Sequence, residues 1–130
     1  MAVKYLWDTN KVIYFLPKQF PHPAEKFVVD LTKDAKPAIS FVTEIELLCW
    51  KSTDQKSLDI INSFISDCDV IELDQSIKLK TVDIRKTYRT KLPDAIIAAT
   101  AIVNGMTLIT GNVSDFSIVS GLKIINPWDI

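Results

Sequence analysis

Five short, mainly apolar runs, Val3 to Trp7, Ala38 to Ser40, Val70 to Leu73, Met106 to Ile109 and Leu122 to Ile125, lack the polar/apolar alternation of a strand with one wet face. Between them lie segments of helical period. Strands buried on both faces and linked by helices are the units of a parallel sheet. The chain is therefore expected to form a three-layer α/β/α fold with a central parallel sheet of about five strands and right-handed crossovers. A length of 130 residues suits one such domain spanning 1–130.

The connecting segments carry their own punctuation. Asp8-Thr9-Asn10 reads as a turn that caps a helix from Lys11 to Leu16, and Phe27, Val28, Leu31 and Ala35 mark a second helix from Ala24 to Ala35. The prolines at 17, 21 and 23 place His22 in a loop. Val42, Ile45 and Cys49 are expected to share the buried face of a helix from Val42 to Trp50. Leu58, Ile61 and Ile65 define another helix, and Ile77, Ile84 and Tyr88 the next. Pro93 suits the first position of a helix that continues from Asp94 to Val103 and stops at Asn104-Gly105.

The chemistry open to the chain is narrowed by what it lacks. Asp8 interrupts the N-terminal apolar stretch before an export signal can form, and the run Ala95 to Val103 is about half the length of a membrane span. The expectation is a soluble, cytoplasmic protein. Two cysteines and one histidine do not make a four-ligand zinc site, and Cys49 and Cys68 are both read as buried thiols. A net charge of −1 supplies no global attraction for a polyanion, so any binding of nucleic acid must rest on local charge.

Ligands of an open parallel sheet bind beyond the carboxyl ends of its strands, which directs attention to acids just after a strand or on the helix behind it. Asp8 closes the first strand, where it also suits an N-cap. Glu46 lies on the helix after the second strand, with Thr43 one turn behind. Asp94 stands in the first turn of an otherwise uncharged helix, and Asp115 follows the strand Met106 to Ile109 in a stretch rich in turn formers. Each position has an ordinary explanation, but independent capping does not predict that all of them fall at this end of the sheet. Converging carboxylates repel one another, and a cation relieves them. Oxygen donors without His or Cys suit Mg²⁺ or Mn²⁺, and such an ion points to phosphoryl chemistry.

Four ordered blocks, YLWDTNKVIY at Tyr5 to Tyr14, ISFVTEIELL at Ile39 to Leu48, LPDAIIAATA at Leu92 to Ala101 and LITGNVSDF at Leu108 to Phe116, with GLKIINP from Gly121 to Pro127, resemble the PIN-domain family. The layout is most similar to the VapC-type ribonuclease toxins of toxin–antitoxin pairs. The resemblance implies that Asp8, Glu46, Asp94 and Asp115 are the catalytic and metal-ligating acids, with Glu46 chosen over Glu44 because it falls three residues after Thr43. Thr9, Asn10, Thr43, Thr110 and Asn112 would form the polar shell that orients them. It further implies hydrolysis of RNA by a metal-activated water with a 3′-hydroxyl leaving group, a homodimer, and a cognate VapB-type antitoxin. Trp7, Trp50 and Gly111 depart from the family pattern without removing an acid.

Substrate binding requires a local positive field, and residues 78–91 hold six basic side chains against the single acid Asp83. Arg85, Lys86, Arg89 and Lys91 are the expected contacts to RNA phosphates. Tyr88 is read as a core residue or a stacking platform for a base. Tyr14, Phe15, Phe20 and Trp50 are read as core residues or as contacts to a second copy or an antitoxin. Two other readings remain: a PIN-like module that binds proteins without catalysis, and a PIN nuclease that acts without an antitoxin. A phosphatase with an aspartyl nucleophile is disfavoured because Asp8-Thr9-Asn10 lacks the Asp-x-Asp pattern.

Overall fold

The computed structural model describes residues 4–9, 36–51 and 54–127. The helices expected over Lys11 to Leu16 and Ala24 to Ala35, together with Asn10, Tyr14, Phe15, Phe20 and His22, lie outside the described residues. In chain order the elements are β1 (Tyr5–Trp7), β2 (Ala38–Ser40), α1 (Phe41–Leu48), α2 (Gln55–Asp67), β3 (Asp69–Ile71), α3 (Gln75–Thr87), α4 (Leu92–Val103), β4 (Thr107–Ile109), α5 (Val113–Phe116) and β5 (Lys123–Ile125).

The five strands form one sheet in the order β3-β2-β1-β4-β5, and every pairing is parallel. β1 is central. The chain builds outward from it through β2 and β3, then crosses to its other side for β4 and β5, so the direction of winding reverses between β1 and β4. Ligands of such sheets sit beyond the carboxyl ends of the strands at that reversal.

Because successive strand residues point to opposite faces, neighbouring positions enter different cores. Leu6, Ala38 and Leu108 join Ile77 and Ile84 of α3 and Ala95, Ala98 and Ala99 of α4 on one face. Trp7, Ile39 and Ile109 join Leu47 of α1 and Ile61 of α2 on the other. This is the physical reason for unbroken apolar strands: there is no wet face to make them alternate. No helix among the described residues is long and apolar enough to cross a membrane.

Helix boundaries follow local chemistry. Ser40 caps α1 by accepting from the Val42 N–H at 3.1 Å. At the other end of α4, Met106 N–H donates to Ala101 O and Gly105 N–H to Ile102 O, with Gly105 at φ +64°, a Schellman stop that needs the left-handed backbone glycine adopts easily. Leu92 opens α4 and Pro93 is its second residue, one position later than expected.

Helix α1 corrects the expected face. Thr43 and Leu47, one turn apart, are its buried residues, whereas Ile45 is 53% exposed and Cys49 is exposed. The i, i+4 pair that meets the sheet turns Ile45 outward, so apolar character alone does not identify the buried side. Of the two thiols, only Cys68 is buried.

Candidate active site

Asp8, Thr110 and α1 emerge from the carboxyl ends of β1, β4 and β2. The ladder continues one residue past β1, with Asp8 N–H donating to Ile109 O at 2.9 Å, so Asp8 is fixed by the sheet itself. It is only 6% exposed. Thr110, fully buried, donates its hydroxyl hydrogen to Asp8 Oδ2 at 2.7 Å and accepts from Asn112 N–H at 3.0 Å. A carboxylate that receives a hydroxyl hydrogen bond in a buried setting is held in one orientation.

The same construction supports two of the other acids. Thr9 Oγ1 lies 2.8 Å from Glu46 Oε1 and 3.1 Å from Thr43 Oγ1. A hydroxyl has one hydrogen, so Thr9 donates to the carboxylate and the Thr43 hydroxyl supplies the second bond. Asn112 Nδ2 donates to Asp115 Oδ2 at 2.9 Å. Asp115 is carried on α5, a single helical turn inside the stretch read as a polar loop, and that turn is anchored by the buried Phe116. The polar chain thus runs from Glu46 through Thr9 to the adjacent Asp8, then through Thr110 and Asn112 to Asp115.

Asp94, half-buried in the first turn of α4, closes the set electrostatically. Burial pushes its carboxyl above the ordinary aspartate range, the negative charges of Asp8 and Asp115 push it further, Lys91 opposes, and Glu46 adds to the rise. The three acids that act on Asp94 are the other three singled out from the sequence. All four therefore share one field at the reversal point of the sheet. Asp94 and Glu46 lie nearer solvent than Asp8, and among the described residues no three His, Cys, Asp or Glu side chains close a cage around a single point.

The basic residues divide. Arg85, Arg89 and Lys91 line an open depression of about 420 Å³ together with Tyr88 and Thr90, while Lys86 is exposed and outside that lining. Tyr88 leans on the core and its hydroxyl accepts from Ser120 N–H at 3.1 Å, which favours the packing role over a free stacking surface. Thr90 is the residue that sequence reading passes over. Its only sequence signal is a place between Arg89 and Lys91.

The described geometry matches known proteins over nearly the full chain. Residues 5–122 match the PIN domain model. Two curated relatives are each called tRNA(fMet)-specific endonuclease VapC. The one from Shigella flexneri is 30% identical over 93% of this chain and 96% of its own length. The one from Salmonella typhimurium is 26% identical over 94% and 96%. Among solved structures, DNA-bound VapBC from Salmonella typhimurium superposes with a TM-score of 0.83 at 23% identity, covering 97% of this chain and 99% of that one. With a parallel β3-β2-β1-β4-β5 sheet, four acids at its winding reversal and a family match over 5–122, the chain belongs to the PIN-domain family, among its VapC-type members.

Proposed function

We propose that this protein is an endoribonuclease that requires a divalent ion, Mg²⁺ or Mn²⁺, and acts as the toxin of a toxin–antitoxin pair. The observation that carries the reading is the set of acids at the winding reversal of the sheet, Asp8 held by Thr110, Glu46 by Thr9 and Asp115 by Asn112, whose charges, with burial, raise the Asp94 carboxyl. Like charges gathered at one end of a sheet call for a cation, and Lys91 offsets only part of their effect on Asp94. The donor set is all oxygen, which fits a hard ion. Its open arrangement fits Mg²⁺ in particular, since that ion keeps several waters and takes few carboxylates directly.

Asp8, Glu46, Asp94 and Asp115 would hold the ion. When bound, it supplies the Lewis acidity that makes water a nucleophile at neutral pH and offsets charge on the departing oxygen. Thr110 fixes Asp8, Thr9 fixes Glu46 and Asn112 fixes Asp115, so the acids are oriented before substrate arrives. The bond broken is that between phosphorus and O3′, leaving a 3′-hydroxyl. Arg85, Arg89 and Lys91, a few residues before Asp94, bring positive charge to a protein whose net charge is −1.

The VapC-named relatives and the VapBC complexes support a cognate VapB-type antitoxin as partner. Ile45, Leu48 and Trp50 are exposed on and just after α1, the helix that bears Glu46. An antitoxin segment or a second copy seated there would lie beside the acids, which explains silencing by cover. Incubating the purified chain with labelled RNA in Mg²⁺ or Mn²⁺ tests the reading: cleavage that stops in EDTA is expected, and cleavage unaffected by EDTA contradicts it.

A further inference from the structure

Helix α3 ends at Thr87 and α4 begins at Leu92, so residues 88–91 turn the chain between two helices that pack against each other. The turn is held at several points. Tyr88 N–H donates to Ile84 O, Ala95 N–H to Lys91 O, Ser120 N–H to the Tyr88 hydroxyl, and Arg85 Nη1 to Thr90 O. The open depression lined by Arg85, Tyr88, Arg89, Thr90 and Lys91 therefore sits on a fixed backbone turn, with three cationic side chains and no acid in its lining. Among the described residues, ion pairs join Lys36 to Asp69 and Lys80 to Asp83.

Two independent features point to an anion there. Thr90 is 7% exposed, and its Oγ1 is buried with no hydrogen-bond partner among the described residues. Such a hydroxyl is uncommon in a folded protein, and valine would fill the same space without leaving a polar atom unmet. The second feature is the charge of the lining, since Arg85, Arg89 and Lys91 are three cations with no acid among the lining residues. Guanidinium groups pair with phosphate through parallel N–H bonds, so a phosphate held by Arg85 and Arg89 would gain a further donor when the Thr90 side chain turns its hydroxyl toward it.

We propose that this depression is a phosphate subsite in which Thr90, Arg85, Arg89 and Lys91 hold an RNA backbone phosphate adjacent to the scissile one. The inference rests on the ribonuclease reading and specifies how its substrate is gripped. Lys91 caps α4 and Asp94 lies in its first turn, so the depression and the acids meet at one end of that helix. Base identity plays no part in this grip, because it acts on the backbone.

The test is fluorescence anisotropy of a short, labelled single-stranded RNA with the full chain in EDTA, where binding is read without cleavage. Thr90→Val is expected to weaken binding roughly tenfold, the loss of one hydrogen bond to a charged group, and to melt no lower than the parent chain because an unmet hydroxyl is gone. Thr90→Ser keeps the hydroxyl and is expected to restore most of the affinity. Arg89→Ala should reduce the slope of log affinity against log salt by about 0.7, one single-strand phosphate contact. Equal RNA affinity for the parent chain and Thr90→Val overturns the subsite, as does inorganic phosphate raising the melting temperature of the parent chain while neither substitution changes RNA binding. Parent-chain cleavage in Mg²⁺ is scored separately: weakened binding by Thr90→Val with no parent cleavage keeps the subsite and removes the ribonuclease reading, whereas unchanged binding beside active cleavage removes the subsite alone.

Discussion

Thr110 and Asp8, 102 residues apart in sequence, meet at 2.7 Å through a buried hydroxyl-to-carboxylate hydrogen bond at the ends of two paired strands. Thr110→Val keeps the shape and removes the donor. The expected result is a loss of about 1–3 kcal/mol in urea unfolding and a fall of about 10–100-fold in RNA cleavage or metal affinity, the usual range for a group that orients a ligand. Thr110→Ser should recover most of both. Wild-type cleavage by Thr110→Val would show that the bond supports only the fold.

Asp94 predicts a particular dependence on pH. Its carboxyl titrates above the ordinary value of 3.8, because of burial first and then the charges of Asp8 and Asp115. A group that holds its proton more tightly when folded contributes stability that is full below its unfolded pKa and is lost as pH rises through the folded one. Melting temperature in EDTA should therefore fall with rising pH above the ordinary carboxylate range, less steeply in Asp94→Asn. Added Mg²⁺ should raise the melting temperature at neutral pH and lose that effect in acid, where protons occupy the site. Parallel pH profiles for the parent chain and Asp94→Asn would contradict this assignment.

The two thiols should react very differently. Cys49 is exposed, whereas burial, reinforced by Asp67 and Asp69 and opposed by Lys36, pushes the Cys68 thiol up to about 12. An aromatic disulfide reagent should label about one thiol per native chain and both after denaturation. Rapid native labelling of both would place Cys68 at the surface.

The packing of α4 makes a further prediction, because this helix carries Asp94. Ala95, Ala98, Ala99 and Ala101 are fully buried, and their small side chains let the helix lie close to the sheet and α3. Ala98→Leu inserts three carbons into filled space and should destabilise the protein by about 1–3 kcal/mol in urea unfolding. A neutral effect would reveal a void beside the helix.

Much of this arrangement is legible in the sequence where the controlling interaction is local. Pro37 before Ala38–Ser40, the Ser40 cap and the Asn104-Gly105 stop act within a few residues, so those boundaries can be read directly. The buried side of α1 depends on which turn meets the sheet, a tertiary fact, and Ile45, Leu48 and Cys49 carry no local mark that sends them outward. The turn of α5 is obscured for a related reason: Asn112, Ser114 and Asp115 read as loop formers, and only the burial of Phe116 makes them helical. In the site, the acids can be picked out by their places after strands. The Thr9–Glu46 contact spans 37 residues, and the isolation of the Thr90 hydroxyl is a property of the folded turn, so neither is written in spacing.

The most direct measurement is the rate of RNA cleavage by purified Asp94→Asn in Mg²⁺ or Mn²⁺, beside the parent chain and with contaminating nuclease excluded. If the four acids act as one metal-dependent centre, the variant retains its fold by circular dichroism and cleaves no RNA, while the parent chain cleaves until EDTA is added. A folded Asp94→Asn protein that cuts RNA at the parental rate would contradict the account.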